Sequence, residues 1–293
     1  MKEIKVNRFT SLLIVLLAYV LALLIGYWVI TFQVGDIYMT VLIADIAATI
    51  IIFSFSFFLK NSSMYDPYWT VIPPFIVLYL MQVYPEGNHL RQIFFLIAVS
   101  VWAIRLTLNW VRSWLGLEHE DWRYKDLANK TGKMYWLVSF SGIHLFPTLI
   151  VFLGCLPAFY VIKKDSAIGV FDFLGLIVSV AAAIIQLISD EQMRNFKKKA
   201  QKGGIMQSGL WKFSRHPNYF GEILFWFGLF IFCLPISISE WWTVIGWISM
   251  ILLFVFISVP MMDERSLNNK PGFKEYMKKS SALFPSLKLF RNK

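Results

Sequence analysis

The segment Ser214-Arg215-His216-Pro217-Asn218-Tyr219-Phe220-Gly221-Glu222 places polar and ionisable side chains at the start of an apolar helix. The segment before it, from Arg194 to Lys202, is strongly basic, and the segment after it, from Ile223 to Leu234, carries no charge. This succession is typical of a helix that begins at a membrane interface. A charged group close to the hydrocarbon costs about 2.5 to 3.5 kcal/mol on insertion scales, so Glu222 is a candidate functional residue.

The composition of the whole chain also indicates a membrane protein. Of its 293 residues, 57% are hydrophobic and 16% are charged, and the mean hydropathy is +0.59. Soluble domains carry roughly 25% charged residues, and about 20 apolar residues cross a bilayer. The pattern predicts an all-α, polytopic transmembrane helix bundle with spans near 9–32, 38–59, 69–84, 91–111, 134–161, 167–189, 218–235 and 241–261. The third span is short and contains Pro73 and Pro74, so we expect seven or eight spans.

The net charge of +10 is explained by membrane topology and requires no nucleic-acid partner. With the N-terminus in the cytoplasm, 24 of the 28 Lys and Arg residues fall on the cytoplasmic side, as the positive-inside rule demands. The prediction is an integral protein of a bacterial inner membrane or the endoplasmic reticulum with both termini cytoplasmic. We expect Lys197 to Lys199 and Lys202 to lie near anionic lipid. The two cysteines lie in apolar segments, and no metal site is expected.

The long polar segments are concentrated in the C-terminal part of the chain. Segments 112–133, 190–217 and 262–293 each mix basic residues with Asp, Glu, Tyr and Trp. All three are predicted to emerge on the cytoplasmic side, where they can surround one water-soluble ligand. Function is therefore expected to concentrate in the C-terminal half of the chain.

Polar side chains at helical spacing predict that three helices face a shared cavity. The stripes consist of Arg105, Asn109 and Arg112, of Asp190, Arg194 and Lys197, and of Asn218 with Glu222. A polar stripe within a membrane must face protein or water, so a cavity between these helices could hold an anionic ligand. Arg215 and His216 precede Pro217, a favourable first helical residue, and free backbone N–H groups beside a guanidinium favour phosphate binding. The chain has no G-x-G-x-x-G motif and no evident strands, which excludes a Rossmann fold.

Several motifs resemble those of the steroid 5α-reductase-like superfamily, in particular its bacterial and lower-eukaryotic branch of multispanning proteins. They are the segment from Gly209 to Glu222, Tyr65-Asp66-Pro67-Tyr68-Trp69, Trp102 with Arg105-Leu106, Glu120-Asp121-Trp122-Arg123-Tyr124, and Glu275-Tyr276 through Phe284-Pro285. They appear in the same order as in that branch and cover roughly residues 60 to 287. The resemblance thus implies N-terminal transmembrane anchor helices at 1–60 and a steroid-5α-reductase-like catalytic transmembrane domain at 61–293. The resemblance implies an NADPH-dependent reductase that acts on an activated carbon–carbon double bond of a lipophilic, steroid-, enone- or lipid-like substrate.

The resemblance also implies functional residues. Arg194, Trp211, Asn218 and Tyr219 match cofactor contacts of related sterol reductases, and Asp190 and Glu222 match polar contacts of the 5α-reductases. Arg105 corresponds to an arginine near the cofactor phosphates, and Asp263 and Tyr276 match positions in the tail. The polar stripes, the motif from Glu120 to Tyr124 and the helix start at Pro217 add further candidates. The expected cofactor-binding residues are Arg105, Asn109, Arg112, Asp121, Arg123, Tyr124, Asp190, Arg194, Trp211, Arg215, His216, Asn218, Tyr219, Glu222, Asp263 and Tyr276.

One position departs from the steroid enzymes. There a tyrosine one turn before the matching arginine works with a glutamate from an earlier helix to polarise the substrate carbonyl. Trp102 stands at that position in this chain, and an indole N–H is only a weak acid. Asp66 falls near the glutamate, and Tyr68 or Tyr65 could supply a phenol. Asp66 and Tyr68 are therefore the expected catalytic residues.

Two other functions fit parts of the sequence. Membrane methyltransferases of the isoprenylcysteine and phospholipid type carry a similar Arg-His-Pro-x-Tyr-x-Gly stretch, bind S-adenosylmethionine and usually have a Glu-Glu pair after the last span. This chain has Asp263-Glu264 there. A non-catalytic sterol or lipid binder on the same scaffold is the third hypothesis, and Trp102 is the feature that favours it.

Overall fold

The computed structural model describes residues 6–199, 203–235 and 238–285, and of residues 238 and 239 it describes the backbone alone. Lys202 of the basic segment lies outside these ranges. The described residues form helices and connecting loops, and their sole extended pairing is the isolated parallel bridge between Ser214 and Ser281. The all-α prediction is therefore confirmed for this part of the chain.

Helices occupy the predicted spans, and further helices lie in the polar segments 112–133 and 262–293. In chain order they are α1 (Arg8–Ile30), α2 (Ile37–Phe58), α3 (Tyr68–Val83), α4 (His89–Ser113), α5 (Trp122–Thr131), α6 (Tyr135–Val138), α7 (Phe146–Val161), α8 (Val170–Lys199), α9 (Pro217–Ile231), α10 (Val244–Leu253), α11 (Val259–Asn269) and α12 (Phe273–Lys279). Two π-helical segments join neighbouring helices within this series. Ser139–Leu145 connects α6 to α7, and Phe254–Ser258 connects α10 to α11.

The described residues include six helical runs that are long and apolar enough to cross a membrane. They are Arg8–Ile30, Ile37–Phe58, His89–Ser113, Trp122–Val161, Val170–Lys199 and Glu240–Asn269. The chain is accordingly an integral membrane protein. Helices α3 and α9 occupy the predicted third and seventh spans but have 16 and 15 residues, fewer than the roughly 20 that cross a bilayer. The number of spans and their orientation stay predictions.

Short polar side chains fix where several helices begin. Asn7 accepts a hydrogen bond from Thr10 N at the start of α1, and Asp36 accepts one from Met39 N at the start of α2. Asn88 caps α4 in the same way. A capping side chain replaces a hydrogen bond that the first turn of a helix cannot make internally, so each residue defines the boundary of an apolar run.

Proline explains the position of both π-helical segments. Pro147 follows Ser139–Leu145 by two residues, and Pro260 follows Phe254–Ser258 by two residues. Proline lacks an N–H group and its ring collides with the carbonyl four residues earlier, which widens the preceding turn. Both widened turns lie beside the apolar cavity described below.

Glycine allows two pairs of helices to pack at very short distances. A Cβ atom at Gly221 of α9 would lie 2.5 Å from Gln186 Cγ of α8. A Cβ atom at Gly246 of α10 would lie 2.1 Å from the carbonyl oxygen of Leu153 in α7. Any larger residue at these positions would push the helices apart. The two glycines therefore set the spacing of the helices that enclose the site.

A buried ion pair joins α4 to α8 at the end of the bundle opposite the 190–217 segment. Arg91 Nε lies 2.7 Å from Asp172 Oδ1, and the two side chains are almost fully buried. The remaining guanidinium N–H groups donate to the carbonyl oxygens of Lys164, Ser166 and Ala167 at 3.0 to 3.1 Å. Every donor of Arg91 is thus used to hold the loop between α7 and α8 against α4.

Candidate functional site

A polar cavity of about 430 Å³ lies where α4, α8, α9, α11 and α12 meet. Its lining contains most of the residues predicted to bind a cofactor. The lining residues are Asn109, Ser113, Asp190, Met193, Arg194, Lys197, Ile205, Met206, Trp211, Arg215, His216, Asn218, Tyr219, Met262, Ser266, Lys270, Phe273 and Tyr276. Four of these are basic, namely Arg194, Lys197, Arg215 and Lys270, and one is a carboxylate, so the cavity favours an anionic ligand.

An apolar cavity of about 530 Å³ adjoins the polar cavity on the side of α6, α7 and α10. Its lining residues are Tyr65, Asp66, Trp69, Arg105, Leu106, Asn109, Arg123, Tyr124, Leu127, Val138, Gly142, Ile143, Pro147, Ile150, Val151, Gln186, Asp190, Asn218, Tyr219, Glu222, Met250, Leu253, Phe254, Ile257, Ser258 and Met261. Arg105, Asn218 and Glu222, which the sequence placed on separate helices, all line this one cavity.

The two cavities share a wall formed by four side chains. Asn109, Asp190, Asn218 and Tyr219 line both of them. A ligand in the polar cavity and a ligand in the apolar cavity would therefore touch the same residues. Both volumes lie in the range of small-molecule sites, about 300 to 1,000 Å³.

Hydrogen bonds between α4 and α8 organise this wall. Arg105 Nη1 donates to Asp190 Oδ2 at 2.9 Å, and Asn109 Nδ2 donates to the same oxygen at 3.1 Å. Arg194 Nη2 in turn donates to Asn109 Oδ1 at 2.6 Å. The predicted polar stripes of the two helices thus face each other, and Asp190 is held by two donors.

Arg194 keeps one donor for a ligand. Its Nε atom is buried and has no hydrogen-bond acceptor among the described residues. The closest carboxylate oxygen, Oε1 of Glu191, lies 3.6 Å away, which is too far for a hydrogen bond. Because Arg194 also lines the polar cavity, this orphaned N–H group marks a place where an anionic oxygen could bind.

The Arg215-His216 pair serves mainly to hold the C-terminal segment. Arg215 Nη2 and His216 Nε2 lie 2.9 Å from Asp263 Oδ2 and Oδ1, respectively. Arg215 Nη1 also donates to the carbonyl oxygen of Ser280 at 2.7 Å, and its backbone N–H donates to that of Ser281. Arg215 lines the polar cavity, but its guanidinium already donates to Asp263 and Ser280. It therefore serves to close the cavity more than to bind a phosphate group.

The start of α9 faces the polar cavity. No side chain caps this helix, and Pro217 occupies its first turn. The ring of Tyr219 stacks on that of His216 with centroids 5.2 Å apart, which fixes the tyrosine at the shared wall. On the far side of the cavity, Tyr276 Oη donates to the carbonyl oxygen of Trp211 at 2.5 Å, and Trp211 Nε1 donates to that of Ser189. These contacts give the cavity a rigid aromatic side.

Glu222 is held by the tryptophan that replaces the expected tyrosine. Trp102 Nε1 lies 3.0 and 3.1 Å from the two carboxylate oxygens of Glu222, and Trp226 Nε1 lies 3.1 Å from Oε1. Arg105 Nη2 approaches Oε2 to 3.9 Å. Trp102 therefore acts as a hydrogen-bond donor that fixes a buried carboxylate.

Asp66 and Tyr124 form a pair at the edge of the apolar cavity. Tyr124 Oη donates a hydrogen bond to Asp66 Oδ1, and Arg123 Nη2 lies 3.5 Å from the same oxygen. Burial raises the pKa of the Asp66 carboxyl to about 6, although the Arg123 charge and the Tyr124 hydrogen bond act in the opposite direction. A carboxyl group with such a pKa can exchange protons near neutral pH.

Three predicted residues do not line the cavities described here. Tyr68, expected to be catalytic, is buried among other side chains and donates to Asp45 Oδ1 at 3.1 Å, so Tyr124 is the phenol that accompanies Asp66. Arg112 is exposed and pairs with Glu191 at 2.5 Å. Asp263 reaches the site only through Arg215 and His216.

A third cavity of about 670 Å³ accommodates Asp121. It also contains Asp66, which links it to the apolar cavity. It adjoins the polar cavity along five shared residues, namely Ser113, Lys197, Met262, Ser266 and Lys270. Asp121 accepts a hydrogen bond from Arg123 Nε at 2.8 Å and so positions the arginine beside Asp66.

Sequence reasoning missed two residues of the site. Gln186 lines the apolar cavity and stands four residues before Asp190, so the stripe of α8 continues for one more turn than was recognised. Lys270 lines the polar cavity, yet its neighbours in the sequence form a charged run that is typical of a solvated tail.

Comparison with known proteins identifies a family. A family model described as a protein of unknown function, DUF1295, matches residues 52–280. An uncharacterised protein of Schizosaccharomyces pombe is 23% identical over 264 residues, which cover 81% of this chain and 76% of that protein. No solved structure matches the chain. Because the family model covers most of the residues, including all those that line the polar and apolar cavities, the chain belongs to the DUF1295 family.

Proposed function

We propose that the protein is a membrane-embedded, NADPH-dependent reductase of an activated carbon–carbon double bond in a lipophilic substrate. The observation that carries this proposal is the wall of Asn109, Asp190, Asn218 and Tyr219 shared by a cation-lined cavity and an apolar cavity. A hydride transfer needs a water-soluble phosphorylated cofactor and an apolar substrate to meet at one place. The motif resemblance to the steroid 5α-reductase-like superfamily supports the same reaction.

The polar cavity fits the chemistry of NADPH. Arg194, Lys197 and Lys270 supply positive charge for phosphate groups, and Arg194 Nε has no acceptor in the described part of the protein. Trp211 and Tyr219 offer aromatic surface for the planar rings. NADPH, when bound, supplies a hydride, and Asn218 and Tyr219 at the shared wall would orient its reactive ring towards the apolar cavity.

The apolar cavity fits the second half of the reaction. Reduction of a polarised double bond requires a proton after hydride addition. The Tyr124 phenol can donate it to the substrate carbon, and the protonated Asp66 carboxyl can restore the phenol through their hydrogen bond. Arg123 and Asp121 hold this pair in place.

The other two hypotheses fit the cavities less well. S-adenosylmethionine carries a positive sulfonium and no phosphate, whereas the polar cavity is lined by four cations and one carboxylate. A purely lipid-binding protein would need neither a cation-lined cavity nor a phenol paired with a carboxyl group. The basic residues around the polar cavity support the proposal that it opens to the cytoplasm.

Calorimetric titration of the detergent-purified protein tests the proposal. We expect NADPH to bind at one site and S-adenosylmethionine not to bind. We further expect slow NADPH oxidation when a panel of lipophilic enones and sterols is supplied. Binding of S-adenosylmethionine without NADPH would identify a methyltransferase, and NADPH binding without oxidation by any substrate would favour the lipid binder.

Substitution of Arg194 by alanine is expected to weaken NADPH binding about 10- to 100-fold, because charged hydrogen bonds contribute about 1.5 to 3 kcal/mol. Arg112→Ala is the matched control. Arg112 lies on α4 opposite Glu191, is exposed and lines none of the three cavities, so its removal should leave the Kd within about twofold. Equal Kd values for Arg194→Ala and the wild-type protein would remove Arg194 from the cofactor site.

A further inference from the structure

Two N–H groups beside the apolar cavity have no acceptor among the described residues. They are Nε of Arg105 and Nε2 of Gln186, and both side chains line the cavity. Arg105 is 9% exposed and Gln186 is 1% exposed, so both side chains are buried. A buried donor without an acceptor costs about 1 to 3 kcal/mol. Two such donors on side chains that hydrogen-bond to each other point to a ligand oxygen at this place.

The surrounding contacts hold both side chains in place. Arg105 Nη2 donates to Gln186 Oε1, and Arg105 Nη1 donates to Asp190 Oδ2 at 2.9 Å. Gly221 lets α9 approach Gln186 closely, because a Cβ atom at that position would lie 2.5 Å from Gln186 Cγ. These hydrogen bonds keep both side chains at the cavity. A small rotation of each side chain would then direct Arg105 Nε and Gln186 Nε2 to a ligand.

The charges around the cavity select a neutral oxygen over a carboxylate. The charged lining residues are Arg105, Arg123, Asp66, Asp190 and Glu222, so carboxyl groups outnumber cations. Arg105 already lies 2.9 Å from Asp190 and 3.9 Å from Glu222. A fatty-acid anion would add a further negative charge to this cluster, which is unfavourable at low dielectric. A carbonyl oxygen accepts hydrogen bonds without adding charge.

The rest of the cavity suits a hydrocarbon chain. Between the π-helical segments it is lined by apolar residues, among them Ile143, Ile150, Leu253 and Ile257. Gly142 lies in one of these segments, and no atom lies within 4 Å of a Cβ built there. Phe256 in the other segment is 69% exposed, as expected for a side chain that contacts lipid. A hydrocarbon chain could therefore extend from the cavity into the bilayer.

We infer that the apolar cavity binds a neutral, carbonyl-bearing lipid of the surrounding bilayer, with its carbonyl oxygen at Arg105 and Gln186 and its chain between the two π-helical segments. The reductive role of this arrangement rests on the proposed function, whereas lipid binding does not. When hydride adds to the β-carbon of the double bond, the π electrons move towards the carbonyl oxygen. Arg105 and Gln186 stabilise the charge that develops there, and the α-carbon then takes a proton from Tyr124.

Photolabelling in phospholipid vesicles tests the inference without requiring turnover. The probe is a long-chain α,β-unsaturated methyl ketone with a diazirine in its chain, and the competitor is the corresponding carboxylic acid at neutral pH. We expect labelling of segments 138–151 and 250–261, and no competition by the acid. Labelling elsewhere, or equally strong competition by the acid, would overturn the inference.

Two pairs of variants locate the oxygen and the chain. Gln186→Met removes the orphaned donor, and we expect about tenfold weaker labelling, whereas Ser179→Ala removes another unpartnered group of α8 and should have no effect. Gly142→Trp should block labelling, whereas Gly169→Trp, equally open but outside the cavity, should not. Unchanged labelling in Gln186→Met contradicts the carbonyl site. Normal labelling without any NADPH oxidation would refute the proposed reductase and leave the lipid site intact.

Discussion

Replacement of Tyr124 by phenylalanine is expected to lower the turnover number for NADPH oxidation by about 10²- to 10⁴-fold, the usual loss when a general acid is removed. The substitution deletes one hydroxyl group from a side chain that is otherwise buried, so the apolar cavity keeps its shape. The polar cavity does not include Tyr124, and the Kd for NADPH should therefore stay within about twofold.

Tyr68→Phe provides the matched control, because it removes a buried phenol hydroxyl that bonds to Asp45 and not to Asp66. We expect its turnover to remain within about tenfold of the wild-type value. If Tyr68→Phe lost more activity than Tyr124→Phe at equal NADPH affinity, the proton would have to come from the sequence-predicted residue instead.

The pH dependence of turnover provides an independent measurement on the same pair. Burial raises the pKa of Asp66 to about 6, so the carboxyl is mostly protonated below this pH and mostly ionised above it. Only the protonated form can return a proton to Tyr124. The turnover number should therefore fall as the pH rises through about 6. In Asp66→Asn this limb of the pH profile should disappear, and a profile identical to that of the wild type would exclude Asp66 as the proton source.

Replacement of Arg91 by methionine is expected to destabilise the protein by about 3 to 5 kcal/mol, because it leaves Asp172 as an uncompensated buried charge. The substitution also removes the guanidinium donors to the carbonyl oxygens of Lys164, Ser166 and Ala167, of which the first two still accept from Asn88. Chemical unfolding in mixed detergent micelles would measure the change in the free energy of unfolding.

The double substitution Arg91→Met with Asp172→Leu separates the two contributions. Removal of both charges should recover part of the lost stability, since no buried charge is then left uncompensated and the carbonyl oxygens of Lys164 and Ser166 still accept from Asn88. Arg112→Met tests an exposed pair and should change the free energy of unfolding by less than about 1 kcal/mol. A single Arg91→Met variant as stable as the wild type would show that the buried pair contributes nothing.

The apolar helices were predictable because hydropathy is a local property of the sequence. The π-helical segments were not predicted, although Pro147 and Pro260 signal them, because proline inside an apolar helix also allows a simple kink. The spacing of Arg105, Asn109, Asp190 and Arg194 predicted the facing stripes of α4 and α8, since side chains four residues apart share a helix face.

The spacing of residues in the sequence could not predict which side chains pair between different helices. Tyr124 meets Asp66 from a helix 58 residues later in the chain, whereas Tyr68, only two residues away from Asp66, turns to Asp45. Trp102 was interpreted as a lost catalytic group, but its partner Glu222 lies 120 residues later. Such contacts depend on how whole helices pack, which no local pattern specifies.

The clamp between Arg215, Asp263 and Ser280 has a consequence for biosynthesis. Its members come from the motif before α9, from α11 and from the end of α12, so Ser280 is synthesised after all six described helical runs that are long enough to cross a membrane. A growing chain that stops short of Ser280 has the apolar helices but an unclosed polar cavity. The polar cavity thus gains all of its closing contacts only after Ser280 has been synthesised.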